Sequence, residues 1–92
     1  MTQLKPTSIV TPSESVVATE LDGEIVMMSV ESGNYFGLDA IATDVWKLVD
    51  GQRSVAQIVD QLCQEYEVDG QECLDHVLEL FERMHEQGVI RA

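Results

Sequence analysis

Apolar positions along this chain change their spacing twice. They have no period before Ser15, recur mainly in twos from Ser15 to Leu38, and then recur in threes and fours. The first periodic stretch predicts a β-hairpin: "SVVATEL" (Ser15–Leu21), the turn "DG", and "EIVMMSV" (Glu24–Val30). Asp22-Gly23 accepts the positive φ angles of a two-residue turn, and β-branched residues flank it on both sides. In the second strand both alternating sets are mostly apolar, Val26, Met28 and Val30 against Ile25 and Met27. That predicts a central strand with its backbone paired on two sides and neither face fully wet. An "ESGN" turn then brings Tyr35–Leu38 back as a short third strand on a sheet edge.

Three helices are predicted to follow. Asp39 caps the first, whose apolar stripe is Ile41, Val45, Trp46 and Val49, and Asp50-Gly51 ends it. Ser54 and Gln57 form a capping box for the second, with the stripe Val55, Ile58, Val59 and Leu62. Asp69 and Glu72 form another for the third, which runs to Gln87 and stops at Gly88. Val89 and Ile90 make a short apolar tail able to cover the core.

The third helix carries a wider apolar arc than an ordinary surface helix. With Cys73 at zero, Leu80 falls at about −20°, Met84 at about 20°, Val77 at about 40°, Phe81 at about 80°, Leu74 at about 100° and Leu78 at about 140°. An arc of roughly 160° exceeds the little over 100° of an ordinary surface helix. One reading has strands and two helices cover all of it; the other leaves a flank such as Cys73, Leu80 and Met84 free to line a groove. Tyr35–Leu38, meanwhile, has none of the Lys, Pro or charge that guards exposed sheet edges. A short open edge beside an apolar helix flank suits recognition of an extended peptide by strand addition. Gly37 would let another backbone come close there, or else mark a bulge or kink entering the first helix.

Composition narrows the choice. The chain has 92 residues and 45% apolar positions, enough for one small domain. "MTQLKPTSIVTPSES" is rich in Thr, Ser and Pro, so residues 1–14 are expected to form a flexible arm and residues 15–92 the domain. It has no secretory h-region, and no later run reaches membrane-spanning length, which leads us to expect a cytoplasmic protein. The formal net charge is −12, from 17 acidic against 5 basic residues. The third helix alone carries Glu72, Asp75, Glu79, Glu82 and Glu86. Such a surface cannot neutralise phosphates, which excludes nucleic acid, and it would be repelled by an anionic membrane.

Cys63 and Cys73 fall on helix-periodic positions outside any C-x-x-C pair and are read as reduced, buried thiols. Cys73, His76 and His85 lack a fourth ligand at metal-site spacing, so no metal is expected. No nucleophile sits beside a plausible base, no Gly-rich loop cradles a phosphate, and no cofactor is called for. The chain is read as non-catalytic.

Taken in order, "GNYFGLD", "VWKLVDG", "SVAQIVDQL", "EYEVD" and "HEQGVI" resemble the PqqD-like family over about Val16 to Ile90. Its members are precursor-peptide recognition elements of ribosomal peptide natural-product pathways. The resemblance implies a winged-helix-like α+β fold, here a three-stranded antiparallel meander followed by three helices. It implies that a precursor's leader segment binds as an extra strand against the third strand and beside the third helix. Carried over, the contacts fall on Tyr35, Phe36, Gly37 and Leu38 and among Cys73, Val77, Leu80 and Met84. The "GxYFGL(D/N)" segment in a chain of this length is most similar to the stand-alone lasso-peptide branch. There the domain delivers the precursor to a separate leader peptidase, and a cyclase closes the product. A peptide chaperone for a radical-SAM maturase remains open, as does a structural homodimer whose second copy buries the edge. The free chain is expected as a monomer or weak dimer.

Overall fold

Asp22 and Gly23 close the first hairpin with φ of 54° and 83°, both in the left-handed region, in a computed structural model that describes residues 4–92. In chain order the elements are β1 (Thr11–Pro12), β2 (Val16–Leu21), β3 (Glu24–Ser29), β4 (Tyr35–Gly37), α1 (Ala40–Lys47), α2 (Val55–Glu65), α3 (Gly70–Glu86) and β5 (Ile90–Arg91). Strands β2, β3 and β4 form an antiparallel sheet in that order, with β3 central as its two apolar sets predict. The α+β meander-then-helices architecture is the one expected from the sequence.

The helix caps follow from short-range chemistry. The Asp39 carboxylate accepts the Ala42 N–H at 2.8 Å. Ser54 and Gln57 bond reciprocally at 3.2 and 2.8 Å, satisfying two amides that the helix leaves free. Asp69 takes the N–H groups of Gln71 and Glu72. Helix α1 stops at Lys47, earlier than the Asp50-Gly51 turn suggests. Asp50 instead organises the loop by accepting from the Gln52 and Arg53 amides, and these bonds hold its carboxyl below the usual carboxylate range.

Two expectations are corrected. Residues 1–14 are expected to form a flexible arm; the first three lie outside the described residues, and residues 4–14 are docked onto the fold by a few anchors, although most of their side chains are exposed. Leu4 and Val10 are buried in the core. The carbonyls of Pro6 and Ser8 accept from the Ala56 and Val55 amides, in the first turn of α2, where such donors lack partners inside the helix. β1 pairs with β5, Thr11 opposite Arg91 and Pro12 opposite Ile90. Ser, Thr and Pro carry no helical or strand period of their own, so this docking has no local signature. The ordered unit therefore begins well before residue 15.

The second correction concerns β3. Ile25, Met27 and Ser29 face the helices and are buried, whereas the Val26, Met28 and Val30 face is open, with Val26 and Val30 exposed. The helices all stack on one side, because α2 and α3 pack on each other and α1 contacts β3.

Thr43 ties α1 to the sheet. Its hydroxyl, 1% exposed, accepts from the Ile25 N–H at 3.0 Å and donates to the Leu38 carbonyl at 3.4 Å. One side chain thus bridges two backbone groups at the end of the β3–β4 ladder. Thr43→Val, which keeps the shape and removes the hydroxyl, strands a buried amide. It should lower stability by about 1–3 kcal/mol. A urea-denaturation midpoint measures this, with Thr43→Ser as the variant that restores it.

Candidate functional site

The backbone of β4 has two sides with different fates. Toward β3, the Leu38 N–H donates to the Ile25 carbonyl at 2.8 Å, and Ser29 N–H donates to the Asn34 carbonyl at 2.9 Å. These bonds fix the alternation in the antiparallel register, so Phe36, opposite Met27, also turns its backbone groups to β3. Tyr35 and Gly37, opposite Met28 and Val26, turn theirs outward. Among the described residues no strand pairs with that outer edge. The chain's own arm and tail pair with each other instead, as β1 with β5.

A groove opens just past the end of β4 in the chain. A cavity of about 550 Å³ opens between α1 and α3, with Asp39, the residue after Leu38, at one end. Val45 and Leu62 from α1 and α2, and Val77 and Leu80 from α3, give it apolar walls that belong to the core. Ile41 stands at the rim with 61% of its surface exposed. The rest of the rim is mainly acidic, Asp39, Glu67, Asp69 and Glu72, with His76 and Arg83 on α3. On the helical wheel these α3 residues, with Cys73 and Leu80, share one flank. The wide apolar arc of α3 is therefore divided between core and groove.

The groove holds one thiol. Cys73 lines it, and burial, then the neighbouring Cys63 thiol, pushes its own thiol up from the ordinary value. A nucleophilic cysteine needs the opposite shift. Tyr66 donates its hydroxyl to the Asp44 carboxylate, which raises the phenol and links the α2–α3 turn to α1. Among the described residues no group of three metal-ligating side chains converges, and no helix is long and apolar enough to cross a membrane.

The residues singled out by sequence fall into three groups. Cys73, Val77 and Leu80 meet in the groove. Tyr35 and Gly37 form the open backbone edge, Tyr35 with 71% of its surface exposed, and nothing lies within 4 Å of a Cβ added at Gly37. Phe36, Leu38 and Met84 point elsewhere. Phe36 packs against the core, and Leu38 is buried with its backbone bonded to β3 and Thr43. Met84 is fully buried and lines no part of the groove. Sequence reasoning missed Ile41 and Val45, assigning both to the core stripe of α1. It also missed Val68 and Asp69 in the turn before α3. Val68, an apolar residue in the acidic "EYEVD" segment, was the available signal.

The comparisons with known proteins bear on this geometry. Residues 24–90 match the family model described as coenzyme PQQ synthesis protein D (PqqD). PqqA binding proteins from Xanthomonas euvesicatoria pv. vesicatoria (strain 85-10) and Xanthomonas axonopodis pv. citri (strain 306) are each 37% identical over 54 residues. That stretch is 59% of this chain and 59% of each relative, so the match covers less than two thirds of their length. Among solved structures, TbiB1 in complex with the TbiA(beta) leader peptide superposes with a TM-score of 0.82 at 28% identity. It covers 89% of this chain and 95% of that one. Lasso peptide synthetase B1 complexed with the leader peptide gives 0.76 at 26% identity, covering 92% and 100%. With its matched family model spanning β3 to the start of β5, its meander-and-helices fold and its open β4 edge, the chain belongs to the PqqD family.

Proposed function

We propose that this chain is a non-catalytic leader-peptide-binding protein that captures a ribosomal precursor by strand addition and delivers it to a maturation enzyme. The observation that carries the reading is the pair of outward-facing backbones at Tyr35 and Gly37, set beside an apolar groove. A guest strand gains main-chain hydrogen bonds from the edge and a pocket for one or two apolar side chains in the groove. Cys73, Val77 and Leu80 supply the α3 wall of that pocket. Ordering a disordered leader costs conformational entropy, which these contacts must exceed. Docking an enzyme at the same time raises the local concentration of the scissile segment to about the millimolar range.

The leader peptidase of a lasso-peptide pathway is the enzyme we favour. Two solved structures with leader peptides, TbiB1 with the TbiA(beta) leader and a lasso peptide synthetase B1, share this fold at TM-scores of 0.82 and 0.76, which supports the choice. Titration calorimetry with a synthetic leader encoded beside the chain's gene tests the reading. Micromolar or tighter one-to-one binding is expected, with a PqqA-type leader at least tenfold weaker. A chain that binds neither leader and scatters light as a concentration-independent dimer would instead be a structural subunit.

A further inference from the structure

The chain's two cysteines meet across the turn between α2 and α3. Cys63 sits in the last turn of α2 and Cys73 in the first turn of α3, and both are half-buried free thiols. The Cys63 sulfur lies 4.0 Å from the point where a Cβ would stand on Gly70. Gly70 and Cys73, three positions apart, share one face of α3, so the bare glycine leaves that sulfur room over the face. Its neighbour there is the Cys73 thiol, pushed up by burial and then by Cys63 itself. Cys73 lines the groove and Cys63 does not, while the turn that joins them supplies Val68 and Asp69 to the same groove.

We infer that Cys63 and Cys73 form a reversible dithiol site whose oxidation to a disulfide weakens leader binding, an inference that rests on the leader-binding reading. The oxidant is a neutral small-molecule disulfide, because the rim carboxylates Glu67, Asp69 and Glu72 disfavour an anionic one. One cysteine thiolate attacks it, forming a mixed disulfide and releasing one small thiol. The other thiolate then attacks the protein sulfur of that mixed disulfide. The Cys63–Cys73 bond forms and a second small thiol leaves, so the two protons of the protein thiols end on the two small thiols. The pair is oxidised by two electrons and the small disulfide is reduced by two. Bonding brings the sulfurs closer than contact. The Cys73 side chain thereby turns toward α2 and off the groove wall, and Val68 and Asp69 are held in a closed ring. A guest side chain then meets a displaced wall, and close-packed contacts tolerate such shifts poorly. Where small thiols prevail, the pair stays reduced and the groove keeps its shape. By linkage, a leader seated against Cys73 opposes the oxidation by the same factor.

The test uses the full chain, a fluorescent synthetic leader encoded beside its gene with any cysteine replaced by serine, and hydroxyethyl disulfide as the oxidant. Mass spectrometry should find a monomer lighter by two hydrogens. Glu65, Glu67 and Glu72 lie between the cysteines, so digestion after glutamates should leave the Cys63 and Cys73 fragments joined. By fluorescence anisotropy the leader Kd should rise at least tenfold in this oxidised monomer and return to within twofold of the parent after dithiothreitol. Cys63→Ser, altered outside the groove, should bind the leader within twofold of the reduced parent and show no two-hydrogen loss with the oxidant. In a buffer of hydroxyethyl disulfide and mercaptoethanol, saturating leader should shift the equilibrium toward the dithiol by the same factor as the change in Kd. Stable mixed disulfides without the internal bond overturn the inference. So does an oxidised monomer that holds the leader as tightly as the reduced chain. A reduced parent that binds no leader overturns the leader-binding reading first and the switch with it, even where the mass shift is seen.

Discussion

Gly37→Pro is expected to weaken leader binding by about ten- to a hundredfold while the helical circular-dichroism signal stays at its parental value. The Gly37 N–H faces the open edge and serves no bond within the sheet, so the free protein loses nothing there. Phe36, which would precede the proline, already lies in a strand, the conformation such a residue prefers. A docked peptide, by contrast, loses the donor for one of its carbonyls, at about 1–3 kcal/mol for a desolvated group left unpaired, and meets a ring in place of a bare Cα. Each 1.4 kcal/mol is about a factor of ten in affinity. Gly37→Ala is the control, because its N–H remains and an added Cβ has open space around it; its Kd should stay within a few-fold of the parent. Parental affinity in the proline variant would move the peptide to another surface.

Met84→Ala separates core from groove. Helical spacing places Met84 with Cys73 and Leu80 on one candidate flank, and the family resemblance puts a peptide contact there. The structure shows a fully buried side chain. Truncating a buried Met costs about 2–5 kcal/mol, a large share of the total stability of a small domain. For a domain of this size that is a fall in Tm on the order of 10–30 °C. Leader Kd, measured well below the transition, should remain within about twofold of the parent. Weakened binding at an unchanged Tm would place Met84 in the groove after all.

The difference between Met84 and Leu80 shows where sequence periodicity runs out. Both lie within about 20° of Cys73 on the helical wheel, and both are buried. Yet Leu80 forms part of the groove wall and Met84 is sealed inside. A wheel has an angle but no height. Whether a given turn of α3 faces the gap beside α1 or the filled core depends on where neighbouring elements end. Ile41 shows the same limit from the other side. It obeys the apolar stripe of α1, but the helix buries Thr43 and Val45 and leaves Ile41 at the rim. The Thr43 bridge adds the reason: the hydroxyl that completes the β3–β4 ladder sets the rotation of the whole helix.

Local chemistry determined the hairpin turn, the three helix caps, the strand order and the short unguarded edge, since each depends on residues only a few positions apart. It also determined the net charge of −12 and the family resemblance. Tertiary structure decided the rest. It docked the Thr- and Ser-rich segment from Leu4 onward onto α2 and β5, through amides whose partners lie some fifty or more residues away. It left one face of β3 uncovered by stacking every helix on the other. It also left the Tyr35 and Gly37 amides free, because the arm and tail that might have capped that edge found each other first in space. Distant pairings of this kind carry no periodic signal along the chain, since what selects them is the competition among surfaces once the core has formed.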